Sequence, residues 1–278
     1  MSRTFTLLIL ILAVLVASTA CAHGTPQGNT PKIADVNDLT VILHAGGGLG
    51  GMRLLNCQEA FEVYYEMGYR YFEYDFKLSS EGKLIGTHSW EHLDGGYDGM
   101  PYEEFTALRL EGGYTPVNED WLVEMLRAYP DVTVIADAKE ATTLQDAEVI
   151  KRLYALGEMH GIDLSDRIIP EIFSVEMWEA VRETTSFSAH LFSRYKEYYS
   201  IETVTASFPT DKFIGIALSY DYLDGYYKRN LPYLQECGYR IFMFDITETE
   251  DVLGALALGA DTVYVDDTNI LPAQSDLP

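Results

Sequence analysis

The sequence predicts an α/β protein built from parallel βα units. Apolar runs rich in β-forming residues alternate with amphipathic runs along most of the chain. The length of 278 residues suits one α/β barrel or two small domains. With 47% hydrophobic and 22% charged residues the composition is that of an ordinary globular protein. Disordered and fibrous chains are therefore excluded.

Nine segments carry the strand pattern. In chain order they are Thr40–Ala45, Tyr69–Phe76, Lys83–His88, Val132–Ala138, Arg167–Phe173, Phe187–Phe192, Phe213–Leu218, Arg240–Ile246 and Thr262–Val265. Nine is one more than a barrel of eight strands needs. We therefore expect at least one segment to be peripheral to the sheet or not a strand.

Helix start signals follow several of these strands. Asn56, with Glu59 three residues later, predicts an N-cap and capping box, and Gly68 predicts the end of that helix. Further N-terminal signals lie at Asn118, Thr143 and Thr247, and the matching ends are expected before Pro130, at Gly157 and at Gly259.

Residues 1–22 are predicted to be an export signal. Arg3 precedes an apolar run from Phe5 to Val16 that is too short to span a membrane comfortably. Ala20-Cys21 resembles a bacterial lipoprotein cleavage site, at which Cys21 would carry a lipid, while small residues at 20 and 22 also suit ordinary signal peptidase. On either alternative the protein is exported, to the bacterial cell envelope or beyond. Residues 23–38 read as a polar tether, which leaves 39–278 for the folded domain.

The chain is strongly acidic. It has 19 Lys and Arg against 43 Asp and Glu, a net charge of −24 and a pI near 4.4. Such a surface repels phosphate backbones, so nucleic acid is excluded as a partner. A phosphate ligand would need local cations, and a bound metal ion would supply them.

Six chemically active residues stand at the ends of the first four strand segments. They are His44, Glu73, Asp75, His88, Asp137 and Lys139. Because the carboxyl ends of parallel strands form the active-site face of an α/β fold, we expect these side chains to share one mouth. A histidine or an Asp-x-Lys pair alone is commonly structural. The occurrence of suitable residues on four consecutive strands favours a functional site.

This residue set suits a metal-assisted phosphodiester site. Glu73 and Asp75 are two apart on a strand and so share one face, and with Asp137 they offer three carboxylates, which suit one Ca²⁺ or Mg²⁺ ion. Two histidines beside such an ion could act as general acid and general base. Lys139 would add a positive charge for a phosphate oxygen.

The stretch HAGG…N…EAF…G…EYD…SSEGKLIGTHSW resembles the glycerophosphodiester phosphodiesterase family, which is related to phosphatidylinositol-specific phospholipases C. The likeness continues at IADAKE and at IFMFDITETEDVLGALALGADTVYVDD, so it covers nearly all of residues 40–267. It implies a (β/α)8 TIM barrel without a helix between strands two and three, where only Ser79-Ser80-Glu81-Gly82 stands. By position it implies a catalytic pair at His44 and His88, metal ligands at Glu73, Asp75 and Asp137, and substrate contacts at Lys139 and Asn56.

The chain departs from the family pattern around the substrate. Ala45 stands in place of the arginine of the family's His-Arg-Gly, and Phe244 in place of a late tryptophan. Leu55 and Cys57 replace the residues on either side of Asn56. Asp137 is one methylene shorter than the usual glutamate, and Ser89-Trp90 replaces the aspartate after the second histidine. The reaction class is therefore better supported than any particular substrate, which we expect to be a small-molecule phosphodiester; no protein partner is implied.

Two alternatives compete with this interpretation. Residues 46–51 contain a literal GxGxxG, but the following helix is expected only from Asn56, too late to meet a dinucleotide pyrophosphate, and export separates the protein from cytosolic NAD. A noncatalytic envelope protein that binds metal and glycerophosphate or a sugar would explain the loss of the arginine at 45. Retention of both histidines argues against it.

Overall fold

The structure is a computed structural model, and it describes residues 40–89 and 99–272. The predicted export signal at 1–22, including Cys21, and the predicted tether at 23–38 lie outside the described residues. None of the described helices is both long and apolar enough to cross a membrane.

All nine predicted strand segments contain a strand. They are β1 (Thr40–Leu43), β2 (Tyr71–Leu78), β3 (Leu84–Gly86), β4 (Thr133–Ala138), β5 (Ile168–Ile172), β6 (His190–Ser193), β7 (Phe213–Ser219), β8 (Arg240–Ile246) and β9 (Thr262–Val265). Eight of them are parallel and pair in the order β1-β9-β8-β7-β6-β5-β4-β2, and a β1–β2 pairing closes the ring. The predicted (β/α)8 barrel is confirmed, and the alternative of two small domains is wrong for the described residues.

β3 is the peripheral strand. It runs antiparallel to β2, pairing Phe76 with Gly86, and is joined to it by a short turn with no helix, as expected. β1 ends at Leu43, so the edge of β2 above that level is left for β3. The expectation that at least one of the nine segments is peripheral to the barrel is therefore confirmed.

Helices cover the outside of the barrel. They are α1 (Gln58–Glu66), α2 (Tyr102–Thr106), α3 (Glu119–Ala128), α4 (Thr143–His160), α5 (Val175–Arg182), α6 (Ile201–Ser207), α7 (Gly225–Glu236) and α8 (Thr249–Ala257). The N-cap predicted at Asn118 is confirmed by a bond from Trp121 N–H to its side chain.

The end of α4 and the start of α8 differ from those predicted. α4 continues through Gly157 to His160, because that glycine serves packing and not termination: a Cβ there would lie 2.8 Å from the Ile162 carbonyl oxygen. The cap of α8 is Glu248, paired with Asp251 in a capping box one residue after the predicted position.

Apolar side chains fill the barrel below its carboxyl-terminal mouth. This inner cluster consists of Ile42, Ile135, Ile169, Ala189, Leu191, Ile214, Ala217, Phe242 and Tyr264. At the upper end of this cluster, Tyr264 on β9 donates a hydrogen bond to Glu171 Oε1 on the opposite strand β5, at 2.8 Å. Both side chains are buried, so this bond across the barrel forms a floor beneath the polar mouth.

Candidate active site

Three carboxylates from neighbouring strands meet at the mouth. Glu73 and Asp75 project from the same face of β2, and Asp137 is the direct register partner of Asp75 on β4. One oxygen from each of the three lies within 4.8 Å of the other two. All three residues are buried, which makes this cluster electrostatically costly without a cation.

The pKa values of the cluster show that cost. Burial, followed by repulsion from Asp75 and Asp137, raises the pKa of Glu73 well above its usual range. Burial also raises the pKa of Asp137, against the opposing effect of the Lys139 charge. Burial would raise the pKa of Asp75 as well, but the charges of Lys139, His88 and His44 lower it overall.

The carboxylates fit a hard divalent cation. Glu73 Oε1, Asp75 Oδ1 and Asp137 Oδ1 are buried and accept no hydrogen bond from the described residues. One such oxygen on each of three clustered carboxylates is the ligand set that Ca²⁺ or Mg²⁺ prefers, with waters or substrate oxygens completing the shell. Zinc would favour nitrogen or sulfur ligands over a set of three carboxylates.

Lys139 lies beside the same carboxylates. Its Nζ is 2.5 Å from Asp137 Oδ2 and 3.3 Å from Asp75 Oδ1. Burial alone would lower the pKa of Lys139, but the surrounding carboxylates raise it well above its usual range. The side chain is therefore a fixed positive charge at the edge of the cluster.

His44 is placed by the first turn after β1. Ala45 and Gly46 have φ of +48° and +79°, and the chain bends so that Ala45 N–H donates to Glu73 Oε2 at 2.7 Å. Glycine is required at 46, where a Cβ would lie 2.5 Å from the Tyr74 ring. His44 Nε2 then faces the cluster, 3.9 Å from Glu73 Oε2.

His88 reaches the site by a different route. β2 extends beyond the barrel rim and β3 returns beside it, so the chain comes back to the level of Asp75. Thr87 N–H donates to the Asp75 carbonyl oxygen at 3.1 Å, and the charge of His88 contributes to the lowered pKa of Asp75. The structure thus brings His88 to the cluster through an antiparallel hairpin.

Asn56 does not cap α1. Its φ is +47°, the N-cap of α1 is Cys57, and the Glu59 carboxylate accepts bonds from Thr115. The Asn56 side chain is fully buried: Nδ2 donates to Asp75 Oδ2 at 2.7 Å and Oδ1 accepts from Asp75 N–H at 2.9 Å. This double contact positions Asp75, and the substrate contact predicted for Asn56 stays a prediction.

Asp266 also belongs to the site, although it was not predicted from the sequence. It follows β9 directly, and its Oδ1 lies 3.4 Å from His44 Nδ1. Arg53 binds the other oxygen, with Nη2 at 2.6 Å. The rule applied to the first four strands, that polar residues at strand ends gather at the mouth, would also have found Asp266.

Asp266 and His44 stabilise each other's charged forms. Burial would lower the pKa of His44, but the hydrogen bond and charge of Asp266 raise it. Burial would raise the pKa of Asp266, and its contacts with His44 and Arg53 lower it. Because the carboxylate accepts a hydrogen bond from Nδ1–H, the lone pair of the neutral imidazole is left on Nε2, toward the carboxylate cluster.

Glu171 is a fourth buried carboxyl group in the barrel interior. Burial, with repulsion from Asp137, raises its pKa to about 7, and the bond from Tyr264 opposes that rise. Glu171 therefore carries a proton more readily than an exposed glutamate does.

Comparison with known proteins shows a similarity in fold. No protein-family model matches the sequence, and no curated protein matches it. A glycerophosphodiester phosphodiesterase from Parabacteroides distasonis matches with a TM-score of 0.65 and 16% identity, covering 82% of this chain and 92% of that one.

Two further solved structures match in the same way. A phosphodiesterase from Oleispira antarctica, solved with the product sn-glycerol-3-phosphate, has a TM-score of 0.63 and 16% identity over 82% of this chain and 92% of that one. A glycerophosphodiester phosphodiesterase from Agrobacterium tumefaciens has a TM-score of 0.61 and 16% identity over 85% and 100%. Residues 40–272 therefore have the fold of the glycerophosphodiester phosphodiesterases.

Proposed function

We propose that the protein is a divalent-cation-dependent phosphodiesterase that hydrolyses glycerophosphodiesters or related lipid and polyol phosphodiesters. One observation carries the proposal: three buried carboxylates, each with an oxygen that accepts no hydrogen bond from the described residues, lie beside two histidines at the mouth of a barrel with this fold. The product bound to the Oleispira antarctica phosphodiesterase supports the same substrate class.

Glu73, Asp75 and Asp137 would hold one Ca²⁺ or Mg²⁺ ion, whose charge would neutralise the phosphate and lower the pKa of a nearby hydroxyl. Lys139, already paired with two of these carboxylates, would contact a phosphate oxygen. Asn56 would keep the Asp75 carboxylate in place.

The two histidines would exchange protons with the substrate. His44, with Nδ1 bonded to Asp266 and Nε2 toward the cluster, is suited to be the general base. It would take the proton of the glycerol hydroxyl next to the phosphate as that oxygen bonds to phosphorus. His88 would protonate the departing alcohol oxygen as its P–O bond breaks. Water would then open the resulting cyclic phosphate.

The test is hydrolysis by purified residues 23–278. Glycerophosphocholine, glycerophosphoethanolamine and glycerophosphoinositol are offered with Ca²⁺, with Mg²⁺ or with EDTA, and release of glycerol 3-phosphate is followed. We expect cleavage that EDTA abolishes and that His44→Ala or His88→Ala lowers by about a hundredfold or more. His160→Ala, an exposed histidine at the end of α4, is the matched control and should retain full activity.

The noncatalytic alternative keeps one observation in its favour. Ala45 is fully buried and its N–H is bonded to Glu73, so position 45 supplies no cationic contact to a phosphate. Stoichiometric binding of Ca²⁺ or Mg²⁺ without cleavage of any tested diester would support this alternative and contradict the proposed hydrolase.

We also propose that the protein acts outside the cytoplasm, on the strength of the export signal predicted for residues 1–22.

A further inference from the structure

A chain of aromatic contacts runs along one side of the mouth. The rings of His44 and Tyr264 have centroids 6.3 Å apart, and Tyr264 and Phe244 are 6.4 Å apart. Phe244 in turn contacts Tyr195, in the loop after β6, at 6.4 Å with an interplanar angle of 72°. The wall formed by these four rings begins at the proposed general base and ends at an exposed tyrosine.

Tyr195 brings this aromatic wall to the proposed phosphate position. Its ring centroid lies 4.9 Å from Lys139 Nζ, so the ring already attracts one ammonium group. Tyr195 is nevertheless 56% exposed, which leaves much of the ring free for a ligand. A group attached to a phosphate beside Lys139 would therefore meet Tyr195 and Phe244.

A carboxylate lies at the same rim. Asp245 follows Phe244 directly and has a φ of +60°, a conformation that is strained for a non-glycine residue. Its Oδ2 accepts a hydrogen bond from Ser219 Oγ at 2.5 Å. Among the described residues, no lysine, arginine or histidine forms an ion pair with Asp245.

The cations that contact or flank Tyr195 are all paired with carboxylates. Lys139, which lies against the ring, is held by Asp137 and Asp75. Arg194 binds Asp224 at 2.9 Å and is stacked between Tyr198 and Tyr227. Lys196 binds the buried Asp146 at 2.7 Å. The rim therefore presents aromatic rings and negative charge, in a protein whose net charge is −24.

We propose that this rim binds the alcohol half of the diester and selects alcohols that carry an ammonium group, such as choline and ethanolamine. The inference rests on the proposed function and names its substrate class. Aromatic faces attract quaternary ammonium groups, and a neighbouring carboxylate adds charge attraction that a neutral polyol lacks. In choline and ethanolamine esters the ammonium group is two carbons from the ester oxygen, close enough to reach a rim beside the phosphate.

The test compares phosphocholine with 3,3-dimethylbutyl phosphate, which has the same shape but carries carbon in place of the charged nitrogen. Binding to purified residues 23–278 is measured by titration calorimetry in the presence of Ca²⁺. We expect phosphocholine to bind about tenfold more tightly. Tyr195→Ala and Asp245→Asn should each lower that ratio, whereas Tyr222→Ala, an exposed tyrosine of the next loop, should leave it unchanged.

Equal affinity of the two phosphates in the unmodified protein would overturn the inference, and so would tighter binding of inositol phosphate than of phosphocholine. Hydrolysis assays keep the two proposals separate. Cleavage of glycerophosphocholine and of its neutral isostere at equal rates would overturn the inference and leave the hydrolase in place. A preference for phosphocholine without any cleavage would support the inference and contradict the hydrolase.

Discussion

The Asp266 carboxylate lies 3.4 Å from Nδ1 of His44, on the side of the imidazole away from the carboxylate cluster. The two residues follow neighbouring strands, β9 and β1, whose last pair is Leu43 with Val265. The register of the barrel therefore sets the orientation of the proposed general base.

Asp266→Asn should lower kcat by about tenfold to a hundredfold, because the amide neither fixes the imidazole tautomer nor stabilises the imidazolium as well as the carboxylate does. KM and the affinity for Ca²⁺ should stay within about twofold of the unmodified values, since Asp266 does not belong to the carboxylate cluster. Steady-state kinetics and metal titration check this. A variant with reduced metal affinity and unchanged kcat would contradict the positioning role.

Glu73→Gln should stabilise the protein in EDTA at pH 7.5. The pKa of Glu73 is raised in the folded state, so its ionisation opposes folding increasingly as pH rises above its unfolded value of 4.5. We expect a gain of about 1 kcal/mol or more in the free energy of unfolding at pH 7.5 and no gain at pH 4. Urea denaturation at the two pH values measures it.

Saturating Ca²⁺ or Mg²⁺ should make the unmodified protein more stable than Glu73→Gln, because only the unmodified cluster gains binding energy on folding. Lys139→Met is a control for which we expect the opposite change in stability. It removes the cation from beside Asp137 and Asp75 and should destabilise the metal-free protein by about 3 kcal/mol. If Glu73→Gln were destabilising with and without metal, the cluster would not be a strained cation site.

Much of this site follows from the sequence, because alternation and strand ends are local properties. Glu73, Asp75 and Asp137 were placed together by the two-residue period of a strand and by the convergence of strand ends. The direction of β3 could have been inferred from its connection to β2, because the four residues 79–82 are too few for the crossover between parallel strands. The role of Asn56 depends on a positive φ and on Asp75, nineteen residues later. Tyr195 lies in a loop, where no period predicts which side chains face the mouth.

The free energy of unfolding should fall in mild acid because of His190. The side chain is 3% exposed and packs on Trp178, and burial lowers its pKa from 6.5 to about 4. The unfolded chain therefore binds a proton in a range where the folded protein does not, and stability is lost as pH falls from about 6.5 to about 4.

His190→Phe should remove about 2–3 kcal/mol of the stability difference between pH 7.5 and pH 4.5. Urea denaturation of the variant, the unmodified protein and the exposed-histidine control His160→Gln measures this. Parallel pH dependence of His190→Phe and the unmodified protein would show that His190 is not the responsible group.

Lys196 should be needed for both stability and catalysis. Its Nζ donates to Asp146 Oδ2 at 2.7 Å and to the Glu140 carbonyl oxygen at 2.9 Å, which fixes the backbone next to Lys139. Lys196→Met leaves the fully buried Asp146 without its cation and should cost about 3–5 kcal/mol. Lys196→Met with Asp146→Asn should recover part of that loss, and a strictly additive double-mutant cycle would contradict the coupling.

The hairpin formed by β2 and β3 carries His88, so the proposed acid is not held by the closed ring that holds the cation ligands. The carboxylates sit on strands of the closed ring. Among the described strands β3 has only β2 as a neighbour, and it is held on its other side by residues 117–119, with Gly86 N–H bonded to the Val117 carbonyl oxygen at 2.8 Å. A local opening of β3 would withdraw the proposed acid while the ring kept its cation ligands. The amide hydrogens of β3 should therefore exchange with solvent faster than those of β4, and the closed fraction that they report sets the fraction of folded molecules able to turn over substrate.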